Sequence, residues 1–288
     1  MAMVVHLVDG TYELFRHFYG FRRANLAPHP LGAAAGVLGT IVQMIAEGAT
    51  HIGVATDHVI ESFRNNLWDG YKTGEGIDPA LWAQFHPLEE FLVAMGVATF
   101  AMVDFEADDA LATAAHLASR DARVEKVCIW TPDKDLAQCV TGDRVVQVDR
   151  RSGEIRDEAR VLTKFGVGPR FIPDYLALVG DSADGYPGIS RIGGKTAARL
   201  IGRYGHLEDF PDTVLGENRD AALLFKTLAT LRIDAPVFED VEQLRWTGPT
   251  TEFPAVIEKI GGTRLAERVK TLSLSRRGLY SRHDDQED

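Results

Sequence analysis

Nine carboxylates fall into four short clusters, each where a predicted strand gives way to a helix or a loop. Acids that converge on one crevice raise one another's pKa, so they cannot all stay ionised without help. A pair of divalent cations removes that difficulty. The pattern therefore predicts metal-dependent phosphoryl chemistry. The nine residues are Asp9, Asp57, Glu106, Asp108, Asp109, Asp133, Asp135, Asp181 and Asp184.

The cluster in DFEADDALATAA has an ordinary alternative explanation, because a helix N-terminus favours acidic residues by about 0.3–1 kcal/mol each. That preference accounts for one or two acids. It does not account for three acids within four positions, where mutual repulsion opposes them, and we favour a functional site. The motifs TPDKDL and GDSADGYPG would each fit a plain turn if taken alone.

Short apolar runs alternate with helical patterns in the first half of the chain, as in VVHLV at 4–8 and KVCIW at 126–130. This alternation predicts parallel strands joined by right-handed crossovers, which is an α/β fold. Functional groups in such sheets gather at the carboxyl ends of the strands. Asp9, Asp57 and Asp133 follow strand candidates, so we expect them at one edge of the sheet.

The segment GISRIGGKTAARL suggests a helix-hairpin-helix. A glycine-containing turn lets backbone N–H groups approach a DNA phosphate, and Lys195 would add a contact. A P-loop would need glycine five positions before Gly194, but Ile189 stands there. A phosphatase of the haloacid dehalogenase type would need DxDGT, but the segment is LVDGT and Leu7 replaces the nucleophile.

The strand signal fades after Gly153, and short helical patterns joined by Gly and Pro turns follow. We therefore predict an α/β catalytic domain at 1–157 and an all-helical DNA-binding domain at 158–288. The helix-hairpin-helix falls at about 174–205 within the second domain.

The 288-residue chain has a formal net charge of −11, which argues against a general polyanion-binding coat. Its two cysteines, Cys128 and Cys139, are too few for a disulfide framework, so we expect a reducing cytosol. No secretion signal or membrane span is evident, because the most apolar stretch, at 31–48, is short and rich in Gly and Ala. We expect a cytoplasmic, nucleoid-associated protein.

As a set, the motifs resemble the 5′ nucleases, the family of the 5′→3′ exonuclease domain of bacterial DNA polymerase I and the stand-alone flap endonucleases. The match runs in consistent order from about residue 4 to residue 210. It implies a PIN-like, Rossmann-like, mostly parallel sheet with a helical arch at about 60–95, followed by an all-helical helix-hairpin-helix module. The matching segments are VDGTYELFRHFY, SFRNNLWDGYK, PLEEFLVAMGV, FEADDALATAA, TPDKDLAQ and FGVGPRFIPDYLALVGDSADGYPGISRIGGKTA.

The resemblance also implies two divalent metal ions, usually Mg²⁺ or Mn²⁺, held by the nine acids. Asp109 lies between the two metal shells in this assignment. The first metal would be served mainly by Asp9, Asp57, Glu106 and Asp108, and the second, partly through water, by Asp133, Asp135, Asp181 and Asp184.

Basic groups of the family pull the scissile phosphate onto the metals. Lys72 matches the lysine at the base of the arch, and Arg16, Arg64 and Lys134 fall in family segments as electrostatic helpers. We expect Tyr71, a neighbour of Trp68 in the segment SFRNNLWDGYK, to contact DNA. The hairpin would bind duplex phosphates, with a K⁺ ion, through Arg191, Ile192, Gly193, Gly194, Lys195 and Thr196.

Three positions depart from the family pattern. Glu75 replaces an arginine of YKxNR, Gly185 replaces the asparagine of GDxxDN, and Arg191 replaces the first hairpin glycine. These departures bear on the arch and the hairpin and spare the metal ligands.

We therefore expect a monomeric 5′ nuclease acting on 5′ flaps, nicked or gapped duplex DNA and RNA–DNA hybrids in replication or repair, with a polymerase as a partner. A branched-DNA binding module with weak or lost catalysis is one alternative. A PIN-like ribonuclease is the other, although the segment GISRIGGKTA suits duplex phosphates better.

Overall fold

The computed structural model describes residues 3–23 and 29–284. Within them, one sheet contains β1 Met3–Asp9, β2 His51–Asp57, β3 Ala98–Met102, β4 Val124–Trp130, β5 Val145–Asp149 and β6 Glu154–Arg156. The helices are α1 Gly10–Arg23, α2 Gly32–Ala46, α3 Pro79–Trp82, α4 Phe85–Ala94, α5 Ala107–Arg120, α6 Glu158–Phe165, α7 Ile172–Val179, α8 Gly194–Tyr204, α9 Asp212–Leu215, α10 Arg219–Ala229, α11 Phe253–Glu258 and α12 Thr263–Asp284.

The strands lie in the order β3-β2-β1-β4-β5-β6, and only the β5–β6 pair is antiparallel. The chain moves outward from β1 to β3 and then returns to the other side of β1 with β4. The strand order therefore reverses between β1 and β4, where the carboxyl ends of strands flank a crevice. The mostly parallel α/β sheet predicted from the alternating pattern is confirmed.

Helices cover both faces of the sheet, which explains why its central strands are apolar on both sides. Val8 packs against α2 and α4 on one face. Leu7, its neighbour in β1, packs against α5 on the other face, because successive side chains of a strand point in opposite directions. The sheet therefore provides a rigid base for the residues at its carboxyl edge.

The helices from α6 to α10 form a second hydrophobic core. Phe165, Leu176, Ile201 and Phe225 bring four of these helices together. Helices α7 and α8 flank the predicted hairpin, and the turn between them ends at Gly193, the N-cap of α8. The predicted helix-hairpin-helix is thus present at the expected place.

The C-terminal part of the predicted helical domain packs elsewhere. Trp246 is 1% exposed, and its indole N–H donates to the backbone carbonyl of Met95 at 2.9 Å. Phe253, Ile257 and Val269 join the same core as α2 and α4. Residues of α11 and α12 therefore pack on the α/β unit, which the predicted boundary at 157 did not anticipate.

The span predicted as a helical arch differs from that expectation. It contains a short 3-10 helix at Phe63–Asn66, a loop, α3 and α4. Phe91 and Leu92 of α4 are fully buried in the first core, so this helix covers the sheet. The predicted arch over the site stays a prediction for the remaining part of this span.

The described helices include none with the length and apolarity needed to cross a bilayer.

Candidate active site and metal centre

Two adjacent strands end in aspartates. Asp9 accepts hydrogen bonds from the backbone N–H of Tyr12 at 2.8 Å and from the hydroxyl of Thr131 at 3.0 Å. Asp57 accepts one from the backbone N–H of Ala107 at 2.8 Å. Because β1 and β2 are parallel neighbours, their ends deliver both carboxylates to the same edge of the sheet.

Helix α5 begins at the carboxyl end of the next strand, and Glu106 is its N-cap. Oε1 of Glu106 accepts a hydrogen bond from the hydroxyl of Ser62 at 2.7 Å. Oε2 lies 2.6 Å from Nζ of Lys72. Asp108 follows in the first helical turn, where the helix dipole favours a negative charge.

Asp109 is bound by the protein on both of its oxygens. The guanidinium of Arg64 donates to Oδ1 and to Oδ2, each at 2.7 Å. The backbone N–H groups of Glu106 and Arg232 complete four hydrogen bonds, and the side chain of Asp109 is 0% exposed. The structure therefore makes Asp109 a partner of Arg64, which corrects its prediction as a metal ligand.

Arg64 uses all of its hydrogen-bond donors inside the protein. Besides Asp109, it donates to Glu106 at 3.0 Å and to the backbone carbonyls of Leu228 and Thr230. The residue is 1% exposed. A guanidinium has five N–H donors, so none is left for a phosphate. Arg64 therefore positions Asp109 and Glu106 and makes no direct phosphate contact, and its predicted role as an electrostatic helper stays a prediction.

A second group of acids lies close together in space. One oxygen each from Asp135, Asp181 and Asp184 lie within 4.8 Å of one another, and all three residues are buried. Oδ1 of Asp135 is buried without a hydrogen-bond partner among the described residues. An unpaired buried carboxylate oxygen is costly, and a hard divalent cation takes such oxygens as ligands. The residues present therefore fit a metal ion.

Burial and mutual repulsion raise the pKa of several of these acids. Burial raises the pKa of Asp9 to about 7, and the charges of Asp57 and Asp133 add to the effect. The pKa of Asp108 is raised well above its usual range by burial and by Asp133 and Asp9. The pKa of Asp135 rises for the same reasons, with Asp133, Asp184 and Asp181 as neighbours.

Glu106 behaves in the opposite way. Burial opposes its ionisation, but the cations of Lys72 and Arg64 outweigh burial and lower the pKa of Glu106 to about 2. Glu106 is therefore the anion that holds these two cations in place.

Lys72 links the two groups of acids. Its Nζ lies 2.6 Å from Glu106 and 3.0 Å from Asp184, and its backbone N–H donates to the carbonyl of Asp184 at 3.0 Å. Lys134 makes a similar pair with Asp181 at 2.7 Å. Both lysines therefore lie among the acids, and their role as electrostatic helpers stays a prediction.

Two other predicted residues are placed differently. Arg16 forms an ion pair with the buried Glu13, 2.6 Å away within α1. Tyr71 is 4% exposed, and its hydroxyl donates to Glu106 at 3.3 Å. A buried ring cannot stack on a base, so the predicted DNA contact of Tyr71 is wrong. The ring packs in the second hydrophobic core.

The sequence analysis did not identify two hydroxyls of the site, those of Ser62 and Thr131. Thr131 stands two residues before Asp133, and Ser62 caps the 3-10 helix that carries Arg64. Their positions beside predicted site segments were the available signal. A lone Ser or Thr is too common to single out on that basis.

The loop that carries Asp181 and Asp184 is closed by glycines. At Gly180 and Gly188, both with positive φ, an added Cβ would overlap the backbone of the other strand of the loop. At Gly185, φ is +86° and a Cβ would overlap the carbonyl oxygen of Gly70. The loop of Lys72 therefore packs directly on this backbone, which explains the glycine at 185 in place of the family's asparagine.

Replacing Gly185 by alanine is expected to lower the free energy of unfolding by about 1–3 kcal/mol more than the same change at Gly76, since overpacking costs that much. Gly76 is the matched control, because its φ is +82° but no atom lies within 4 Å of an added Cβ. Urea denaturation of both variants measures the difference. Equal losses would show that the contact with Gly70 yields easily.

The hairpin turn contains a strained residue. Arg191 has φ +67° and is the single non-glycine residue with positive φ among the described residues. This left-handed conformation costs an L-residue about 1–2 kcal/mol. The turn therefore keeps the backbone shape that a glycine would adopt, while it presents an exposed cation.

The remaining hairpin residues are placed as follows. Lys195 and Gly193 are exposed, and Gly194 and Thr196 are half-buried. The backbone N–H of Ile192 donates to the carbonyl of Ile189 at 3.0 Å, so the predicted phosphate contact of that amide is wrong. The first N–H groups of α8 lack intrahelical acceptors, as in any helix.

The metal-free protein is expected to lose stability as pH rises above about 6.5 through the raised pKa of Asp9, about 7. The folded chain keeps a proton there that the unfolded chain has already released, so unfolding becomes easier with rising pH until Asp9 ionises in the folded state, and the raised pKa of Asp108 and Asp135 acts in the same direction. The half-buried histidines His6 and His17, whose pKa falls to about 4 through desolvation, oppose this only at lower pH. Melting temperatures in EDTA and in Mg²⁺ test it.

Bound Mg²⁺ replaces the protons, so the pH dependence should shrink when the metal is present. A melting temperature in EDTA that stays level or increases across this range would contradict the placement of these acids.

Two family profiles match the chain in succession. The 5′-3′ exonuclease N-terminal resolvase-like domain matches residues 4–166, and the 5′-3′ exonuclease C-terminal SAM fold matches residues 167–252. The chain belongs to the 5′-3′ exonuclease family. It is thus an enzyme of the nuclease class, as the motifs predicted.

Individual relatives of this exonuclease-family chain agree. It is 33% identical to the 5′-3′ exonuclease of Aquifex aeolicus over 71% of each chain. It is 31% identical to DNA polymerase I of Bacillus subtilis, where the match covers 91% of this chain and 32% of the polymerase.

Solved structures show the same fold. T5 5′-exonuclease with bound zinc has a TM-score of 0.64 at 19% identity, covering 93% of this chain and 98% of that one. The catalytic core of Rad2 in complex with DNA substrate has a TM-score of 0.62 at 14% identity, covering 94% and 92%. The α/β unit with its helical module is therefore the fold of this exonuclease family.

Proposed function

We propose that this chain is a structure-selective 5′ nuclease that hydrolyses phosphodiesters at 5′ flaps and ends of branched DNA by a two-metal mechanism, in replication or repair. The observation that carries the proposal is the buried group of Asp135, Asp181 and Asp184, in which one oxygen of Asp135 has no hydrogen-bond partner among the described residues. Two solved structures of the same fold support it, since one contains bound zinc and the other a DNA substrate.

The acidic side chains would form two cation sites. Asp135, Asp181 and Asp184, with the exposed Asp133 at their rim, would hold one cation. The other would lie with Asp9, Asp57, Glu106 and Asp108. Two divalent cations, when bound, supply an activated water and stabilise the charge that develops on the phosphate.

The ammonium of Lys72 balances part of the negative charge of the two groups of acids. It stands between Glu106 and Asp184, where it lowers the repulsion between the two groups of acids. With cations bound to these acids, the Lys72 ammonium would be available to bind a substrate phosphate. Lys134, paired with Asp181, would do the same on the other side.

The finer features of the proposal follow from chemistry and from the relatives. Oxygen-only donors favour Mg²⁺ or Mn²⁺ as the native metal. RNA–DNA hybrids would be cut together with DNA, and K⁺ at the hairpin stays a prediction. We propose a monomer in the cytoplasm, associated with the nucleoid, that works beside a polymerase, since relatives carry this unit within DNA polymerase I.

Turnover of a 5′-labelled flap on nicked duplex DNA, in Mg²⁺ and in EDTA, tests the proposal. We expect short 5′ products in Mg²⁺ and none in EDTA. Tight binding without cleavage under both conditions would favour a branched-DNA binding module. Cleavage confined to single-stranded RNA would favour a PIN-like ribonuclease.

A further inference from the structure

Helix α8 carries a row of cations at every fourth position, Lys195, Arg199 and Arg203, and Arg191 precedes them in the hairpin turn. We call these four residues the basic ridge. All four are exposed. The family pattern accounts for the contact at Lys195, and the sequence motifs singled out neither Arg199 nor Arg203.

The ridge differs from single unpaired surface cations because its four charges follow one another on one face of the hairpin and α8. No member forms an ion pair with an acid among the described residues; Arg203 lies only over the ring of Tyr204. Other surface cations of this acidic chain do find acids, as Arg123 does with Asp121 and Lys226 with Glu208. A run of free cations in a chain of net charge −11 indicates an external anion.

The helix presents the ridge away from its own core. Ala197 and Ile201 of α8 are buried against α7 and its neighbours. At about 100° per residue, Arg199 lies about 200° around the helix from each of them. The cations therefore occupy the outer face, where an extended ligand can approach without rearranging the fold.

The spacing suits a regular polyanion. Residues four apart rise about 6 Å along a helix, so Lys195 and Arg203 are about 12 Å apart along the axis. One strand of B-DNA advances about 3.4 Å per nucleotide. The ridge therefore spans roughly four nucleotides of a strand laid along it.

From this geometry we infer that the basic ridge binds successive backbone phosphates of one duplex arm, extending the hairpin contact by about four base pairs. The inference rests on the proposed function, because the hairpin must dock on the same duplex. The ridge compensates for the acidic charge of the rest of the surface, and it makes affinity depend on the length of that arm.

The test measures binding of flap DNA in EDTA by fluorescence anisotropy, for a series of downstream duplex lengths and salt concentrations. The variants are Arg199→Gln/Arg203→Gln and, as a control, Lys270→Gln. Lys270 is exposed on α12 with no ion pair among the described residues, so its substitution removes one unpaired surface charge away from the ridge. Glutamine retains helix propensity, and circular dichroism checks folding.

We expect the double variant to lower the slope of log K against log salt by about 1.8, or about 0.9 per lost phosphate contact. Its affinity should stop rising at an arm about four base pairs shorter than for the wild type. The control should change neither quantity. The single-turnover rate in Mg²⁺ should stay unchanged in the Lys270→Gln control.

An unchanged salt slope in the double variant, or an equal loss in Lys270→Gln, would overturn the ridge as a specific duplex contact. That result is independent of catalysis. If the wild type fails to cleave in Mg²⁺, the proposed nuclease function fails, but the binding series still decides whether the ridge contacts DNA.

Discussion

Changing Asp108 to asparagine is expected to slow single-turnover cleavage by at least about a thousandfold, while flap affinity stays equal or rises. A metal contributes several kcal/mol to a phosphoryl transition state, and about 4 kcal/mol corresponds to a thousandfold in rate. Removal of the carboxylate also removes repulsion of the DNA backbone. Rapid-quench cleavage and anisotropy on the same flap measure the two effects.

The matched control is Asp104→Asn. Asp104 is an exposed aspartate four positions earlier in the chain, outside the nine acids. It should cleave like the wild type, which would show that the effect belongs to the site. If Asp108→Asn retained a rate within about tenfold of the wild type, Asp108 would not hold a catalytic metal.

Changing Arg64 to methionine is expected to destabilise the protein by about 3–5 kcal/mol, the cost of leaving buried charges without a partner. The substitution would strand Asp109, which is fully buried, and would remove one of the two cations that lower the pKa of Glu106. Urea denaturation measures the loss of stability. The cleavage rate should fall only because less protein is folded and because Glu106 is displaced.

A double-mutant cycle with Asp109→Leu separates the pair from the rest of the site. A buried ion pair replaced by apolar groups often costs little, so Arg64→Met/Asp109→Leu should recover part of the lost stability. Recovery will be incomplete, because the N–H groups of Glu106 and Arg232 lose their acceptor. A folded, stable Arg64→Met protein with a large defect in cleavage alone would instead place Arg64 on the substrate.

The sequence determined the fold class and the location of the acids. Alternating strands and helices imply a parallel sheet, and parallel strands bring their carboxyl ends to one edge. That rule is local and periodic, so the sequence alone predicts Asp9, Asp57 and Asp133 at one edge of the sheet. The hairpin between α7 and α8 was predicted from the glycines of GISRIGGKTAARL, because a glycine-containing turn lets backbone N–H groups approach a phosphate.

Tertiary structure decided which of the matching residues is free to act. Arg64 and Lys72 lie eight positions apart in the same family segment, yet Arg64 is sealed by Asp109 and two carbonyls while Lys72 stays between two acids. Burial and hydrogen-bond saturation depend on chain segments more than a hundred residues away, such as Leu228 and Thr230. A motif records the type of a side chain, but only packing determines whether its donors are still available.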